Sequence, residues 1–162
     1  FNYLHRFKYV KRIYISKMEK ERIKRYTDKL EYLNQTIKNL YEWTEGIDSN
    51  KFTESIELQN QYGIYHAFQL SIETITDMVA MIVKDVKLIP KDDYLNIEMI
   101  TNKEIINPDL AASLREANGL RNRIVHDYNG LDNEIAFNRL IDLLKSLKEF
   151  MEEVKKWLKK NC

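Results

Sequence analysis

Apolar residues recur at spacings of three and four through most of this chain, the period of helices that bury one face. Residues 18–45 carry the stripe Ile23, Tyr26, Leu30, Leu33, Ile37 and Leu40, which predicts a long amphipathic helix ended by Gly46. The polar stretch "IDSNKFTES" then reads as a loop. A second long helix is predicted over 55–85, through Phe68, Ile72, Ile75, Met78, Val79 and Ile82. Pro90 and the acidic "KDD" open a weaker segment with a short helix near 91–102. Asn107 and Pro108 make a strong helix start, because proline is pre-organised for the first turn and has no amide hydrogen to lose there. The third long helix follows, with Leu110, Leu114, Ala117, Leu120 and Ile124 on one face. Gly130 breaks the chain, Asp132 can cap, and Ile135–Leu158 form a fourth helix with Leu140, Leu144, Leu147, Met151, Val154 and Leu158 in phase. Four long helices with mostly short links predict an all-α, up-and-down four-helix bundle with one short additional helix.

Composition agrees with that architecture. The 162 residues are 31% charged and 44% apolar, with four Gly and two Pro, the profile of a soluble, helix-rich domain able to bury its own core. A net charge of +1 gives no general affinity for nucleic acid. The single cysteine, Cys162, rules out a disulfide or a cysteine metal site within one chain and fits a reducing cytoplasm. The longest apolar runs are broken by charges well short of a membrane span, and nothing resembles a signal peptide, so no membrane association is expected.

Residues 1–17, "FNYLHRFKYVKRIYISK", stand apart because they hold five Lys/Arg and no acid, leaving about −4 for the rest. Phe1, Tyr3, Phe7, Tyr9 and Tyr14 among those basic residues suit stacking on bases while the cations grip phosphates. The competing reading is a peripheral extension or upstream-translated residues, since Met18 directly precedes the first strong helical pattern. The expected organisation is a basic-aromatic extension, 1–17, followed by a helical domain, 18–162.

The segment "GLRNRIVHDYNG", residues 119–130, concentrates chemistry on the third helix. With Arg121 at zero and 100° per residue, Leu120, Ile124 and Tyr128 fall at roughly 260°, 300° and 340°, and Asn122 and His126 at roughly 100° and 140°. Arg121 and Tyr128 therefore border the core-facing stripe, while Asn122 and His126 form a polar pair on another flank. Arg121 and His126 diverge too far in one straight helix to grip one phosphate side by side. A twofold homodimer resolves this, because two copies can face each other across one groove. His66, Gln69, Glu73 and Asp77 make a polar stripe on the second helix. A salt bridge from Glu73 or Asp77 to Arg121 is the economical expectation, since a partly buried guanidinium needs fixed carboxylates. A purely structural role competes with any functional one: the same residues would form an ion-pair network holding two helices in register.

The octapeptide "RNRIVHDY" resembles the R-x4-H motif of the HEPN superfamily, with Asn122 as the polar residue after Arg, and Tyr128 extends it to the R-x4-H-x-Y signature of HepT-type toxins. The resemblance runs on through "QLSIETITDMV" and "PDLAASLREANGLRNRIVHDY" and covers residues 20–158, but not 1–17. It implies a metal-independent, cofactor-free endoribonuclease acting as a homodimer on RNA, paired with a minimal nucleotidyltransferase antitoxin of the MntA type. The residue types suit that chemistry. RNA carries its own nucleophile, the 2′-hydroxyl, so the protein needs a proton-transfer group and a cation for the dianionic phosphorane. His126 suits the first role, since a free imidazole titrates at about pH 6.5, and Arg121 suits the second as a planar donor fork. Asn122 is left to orient His126 or a phosphate oxygen. The three histidines, His5, His66 and His126, show no spacing of a metal-ligand set.

The resemblance makes Tyr128 the hydroxyl that accepts AMP from the partner enzyme, an adduct whose negative charge would repel RNA at the mouth of the groove. A half-buried aromatic at the edge of the core is the structural alternative. Two further classes stay open: a non-catalytic HEPN adaptor that binds nucleotide or RNA through Arg121 and His126, and a purely structural helical partner of a nucleotidyltransferase.

Overall fold

In the computed structural model of this chain, every regular element among the described residues is a helix. The structure describes the backbone of residues 2–126 and 130–161 and side chains from residue 19 onward. Six helices are described: α1 (Asn2–Thr44), α2 (Ser49–Glu54), α3 (Leu58–Asp85), α4 (Asp93–Asn102), α5 (Pro108–His126) and α6 (Asn133–Asn161). The four long ones, α1, α3, α5 and α6, form the bundle, with α1 and α5 each packed between α3 and α6.

Cross-contacts fix the up-and-down order. Lys29 meets Asp77 and the Tyr26 hydroxyl donates to Asp85 at 2.8 Å, so α1 and α3 run antiparallel. Arg139 reaches Glu116 and Asn107 reaches Glu149, which does the same for α5 and α6. Tyr26 also packs on Trp157 near the end of α6. Because these partners lie near the last turns of α3 and α6, the part of α1 before Arg22 runs past that end of the bundle.

The core is the predicted set of stripes joined into one cluster, including Leu33, Leu40, Phe68, Ile75, Met78, Leu114, Leu140, Leu147 and Val154. Helix starts follow ordinary capping chemistry. Asp48, Asp92, Asn107 and Asp132 each accept from the backbone N–H three residues on, satisfying donors that the helix itself leaves open. The boundaries of α3 and α6 move by two or three residues from the sequence reading, and two differences are larger. The first helix runs continuously from Asn2 rather than from about residue 18. The stretch expected as a polar loop holds α2, because Phe52 inserts into the core, stacks on Phe137 at 4.2 Å and meets Tyr65 edge-on. One buried aromatic is enough to fold a short capped turn onto the bundle.

Two helix ends are made without glycine. After α3 the Lys87 and Leu88 N–H groups donate back to Lys84 and Val83, and after α4 Glu104 and Ile105 donate back to Thr101 and Ile100. In each case the residue at the turn, Lys87 or Glu104, takes a positive φ, 64° and 55° respectively. These are Schellman closures, and Leu88 and Ile105, which follow the two turns, pack against the core and help offset the left-handed backbone.

At the opposite end of the bundle Tyr65 links α3 to the start of α6, donating to Asn133 Oδ1 at 2.8 Å. Burial first, and then the nearby Asp132 carboxylate, holds this hydroxyl protonated above the ordinary tyrosine range, so it stays a donor. Tyr65→Phe is therefore expected to cost about 0.5–1.5 kcal/mol, read from the urea midpoint with an unchanged slope; a neutral result would show that water replaces the bond at no loss.

Candidate active site

α5 carries the site because its buried side is fully committed to the core. Leu110, Ala111, Leu114, Ala117 and Leu120 are buried, which fixes the rotation of the helix about its axis. Arg121, next after Leu120, is then forced to the edge of the buried stripe, its side chain 18% exposed. Its guanidinium donates from Nη1 to Asn122 Oδ1 at 2.8 Å. Its Nη2 lies 3.7 Å from Asp93 on α4, an ion pair without a tight hydrogen bond. Among the described residues, the buried Nε has no hydrogen-bond partner, and one turn earlier the buried Asn118 Oδ1 has none either. His126 closes the last turn of α5 and is exposed.

The expected ion pair from Glu73 or Asp77 to Arg121 is not what forms. Asp77 pairs with Lys29 of α1 at 2.9 Å, and Glu73 accepts from Gln69 of its own helix at 2.9 Å. His66 and Asp77 are exposed, so both ends of the stripe lie toward solvent, and its two acids are engaged by Gln69 and Lys29 instead. The reason is α4: it packs against both α3 and α5, and its first turn brings Asp93 to the guanidinium before α3 can. The sequence pattern does not single out Asp93, which sits in the "KDD" run as an ordinary helix-opening acid. Asn118 is likewise silent in sequence, reading as a polar interruption of the apolar stripe.

Arg121 and Asn122 are thus brought together, whereas His126 lies about 7.5 Å farther along the axis and roughly 140° around it from Arg121. Tyr128 lies outside the described residues. No group of His, Cys, Asp and Glu among the described residues is gathered to hold a metal ion. No helix of the described residues is long and apolar enough to cross a membrane. What the arrangement offers is a half-buried, locally oriented cation and an exposed imidazole on one helix, a pair suited to an anionic substrate.

The family model for ribonuclease HepT-like proteins matches residues 19–154. The chain belongs to the HepT-like ribonuclease family. A protein of Archaeoglobus fulgidus, named as a candidate RNase, is 33% identical over 139 residues, covering 86% of this chain and 97% of that protein. The "tRNA nuclease HepT" of Aphanizomenon flos-aquae is 25% identical over 121 residues, 69% of this chain and 82% of its own length. Among solved structures, the tri-AMPylated HEPN toxin of Shewanella oneidensis in complex with MNT antitoxin superposes with a TM-score of 0.72 at 22% identity, covering 81% of this chain and 96% of that one. The HepT-like family and the HEPN fold expected from "RNRIVHDY" are therefore those of this chain.

The ion pair has a direct thermodynamic consequence. In double-mutant cycles to Ala, Arg121 and Asp93 are expected to couple by about 0.2–1 kcal/mol, the range for partly solvated pairs. Arg121 with Glu73, and Arg121 with Asp77, are expected to be additive. Coupling to Glu73 instead, measured by urea unfolding, would contradict the arrangement described.

Proposed function

We propose that this protein is an endoribonuclease toxin that cuts RNA through its own 2′-hydroxyl, with Arg121 and His126 as the working side chains. The observation that carries the reading is the placement of Arg121: a guanidinium fixed at the core's edge by Asn122 and Asp93, on the same helix as an exposed histidine. Family membership and the nuclease names of the relatives support it. In the reaction, the 2′-oxygen attacks phosphorus while His126 takes its proton. Arg121 stabilises the charge on the phosphorane, and the proton that His126 has taken passes to the departing 5′-oxygen, giving a 2′,3′-cyclic phosphate and a 5′-hydroxyl. Asn122 keeps the guanidinium turned toward the cleft. The protein's own groups suffice for each of these steps, and the substrate places the reaction in the cytoplasm.

The axial and angular separation of Arg121 from His126 is best answered by a twofold homodimer in which both copies of Arg121 and His126 line one cleft. Regulation follows from Tyr128, two residues beyond His126. A minimal nucleotidyltransferase antitoxin of the MntA type would transfer AMP from ATP to its hydroxyl, with pyrophosphate leaving, and the added phosphodiester would occupy Arg121 and repel substrate. The AMPylated state and MNT partner of the Shewanella oneidensis toxin support this assignment. Residues 1–17 lie outside the matched 19–154 segment, and we take them as an extension to the 18–162 domain.

Three measurements test the reading. His126→Ala is expected to lower RNA cleavage by about 10²–10⁴-fold with helicity and melting unchanged; wild type that binds RNA but never cleaves it would make the protein an adaptor. Sedimentation at micromolar concentration is expected to give a dimer, and a monomer there removes the composite cleft. Intact-mass spectrometry after co-expression with the nucleotidyltransferase is expected to show adenylate increments on wild type but not on Tyr128→Phe, which stays toxic; increments on both, or on neither, overturn the Tyr128 assignment.

A further inference from the structure

The first turn of α4 is fixed more firmly than a surface turn requires. The Leu95 N–H donates to the Asp92 carboxylate at 3.0 Å. Buried Asn96 closes a reciprocal pair with Lys91, accepting from its N–H at 2.7 Å and donating to its carbonyl at 3.0 Å. This rigid turn nevertheless holds Tyr94 and Leu95 outward, 42% and 41% exposed. Tyr94 also has a defined place on α5. Its hydroxyl lies 3.6 Å from where a Cβ on Gly119 would stand, so the side chain reaches the α5 backbone two residues before Arg121. The residue before it, Asp93, is the one that faces the guanidinium. One turn of α4 therefore meets α5 twice, with Tyr94 at Gly119 and with Asp93 at the Arg121 guanidinium.

We propose that Tyr94 is a stacking platform for an unpaired RNA base whose flanking phosphate is held by Arg121. This rests on the ribonuclease reading above and names the form of RNA it takes: a single-stranded segment with its bases splayed out. Single strands are gripped by pairing a cation for the phosphate with an aromatic face for the adjoining base. Tyr94 and Arg121 stand in that order. Negative charge nearby is already engaged, Asp92 in capping Leu95 and Asp93 against Arg121, while Lys91 beside them is exposed. A protein partner is the weaker occupant, because two apolar side chains fall far short of the area a specific protein interface buries.

The test uses a fluorescein-labelled, single-stranded 2′-O-methyl RNA, which lacks the nucleophile and cannot be cleaved, with binding followed by anisotropy on the full chain. Tyr94→Ala is expected to weaken binding roughly ten- to a hundredfold, and Tyr94→Phe to stay within about twofold of wild type. Melting is expected to be unchanged in both. A strand made abasic is expected to bind wild type as weakly as the intact strand binds Tyr94→Ala, and the variant should not distinguish the two strands. The proposal is overturned if Tyr94→Ala binds like wild type, if it weakens the abasic strand equally, or if wild type does not bind at all. It is also overturned if Tyr94→Ala converts a dimer to a monomer, which would make the patch a protein interface. Normal Tyr94-dependent binding with no cleavage of ordinary RNA would remove the ribonuclease reading and leave the platform standing.

Discussion

The rotational setting of α5 is the constraint on which the rest of the site depends. Leu110, Leu114, Ala117 and Leu120 are buried together, and rotating the helix by one residue would expose that stripe while driving charge into the core. Burial of a few aliphatic side chains stabilises this setting by several kcal/mol, far more than any single polar contact in the site. Arg121, Asn122 and His126 are oriented as a consequence, without needing to hold themselves in place. A cation at the edge of a core is less solvated than one on an open surface, so its pull on an oxyanion is stronger.

That position has an energetic cost of its own. Among the described residues, the guanidinium has its carboxylate at 3.7 Å and a buried Nε with no partner, while Asn118 Oδ1 is buried one turn away in the same condition. An unmade bond at a buried polar atom costs about 1–3 kcal/mol, and such atoms gather where a structure serves a ligand rather than its own stability. The loose Asp93 contact is consistent with an arginine that is oriented yet still available, because a tight bidentate pair would compete with phosphate for the same donors.

Fold and chemistry are separable here. A capped six-helix arrangement with a well-filled core would stand equally well with alanine at His126, which is exposed, and the same bundle can carry unrelated activities. The proposed chemistry rests on the last two turns of α5 and on what approaches them. The approach is made by α4, whose placement depends on the cap at Asp92 and the Asn96–Lys91 pair.

Periodicity alone determined the four long helices, because a 3.6-residue repeat of large apolar groups has one low-energy way to be buried, and Asn107, Pro108 and Asp132 marked starts through local hydrogen bonds. The motif "RNRIVHDY" likewise placed Arg121, Asn122 and His126 on one helix, since neighbours in sequence are neighbours in a helix. What the sequence did not determine is anything set by contacts distant along the chain. α2 depends on Phe52 finding Phe137, and the ends of α3 and α4 turn at Lys87 and Glu104 rather than at glycine, with the following Leu88 and Ile105 packed on the core. The partner of Arg121 was decided by tertiary packing as well. Glu73 and Asp77 have the right charge and helical spacing, but α4 packs between reach and target, and only the three-dimensional fold determines that Asp93 arrives first.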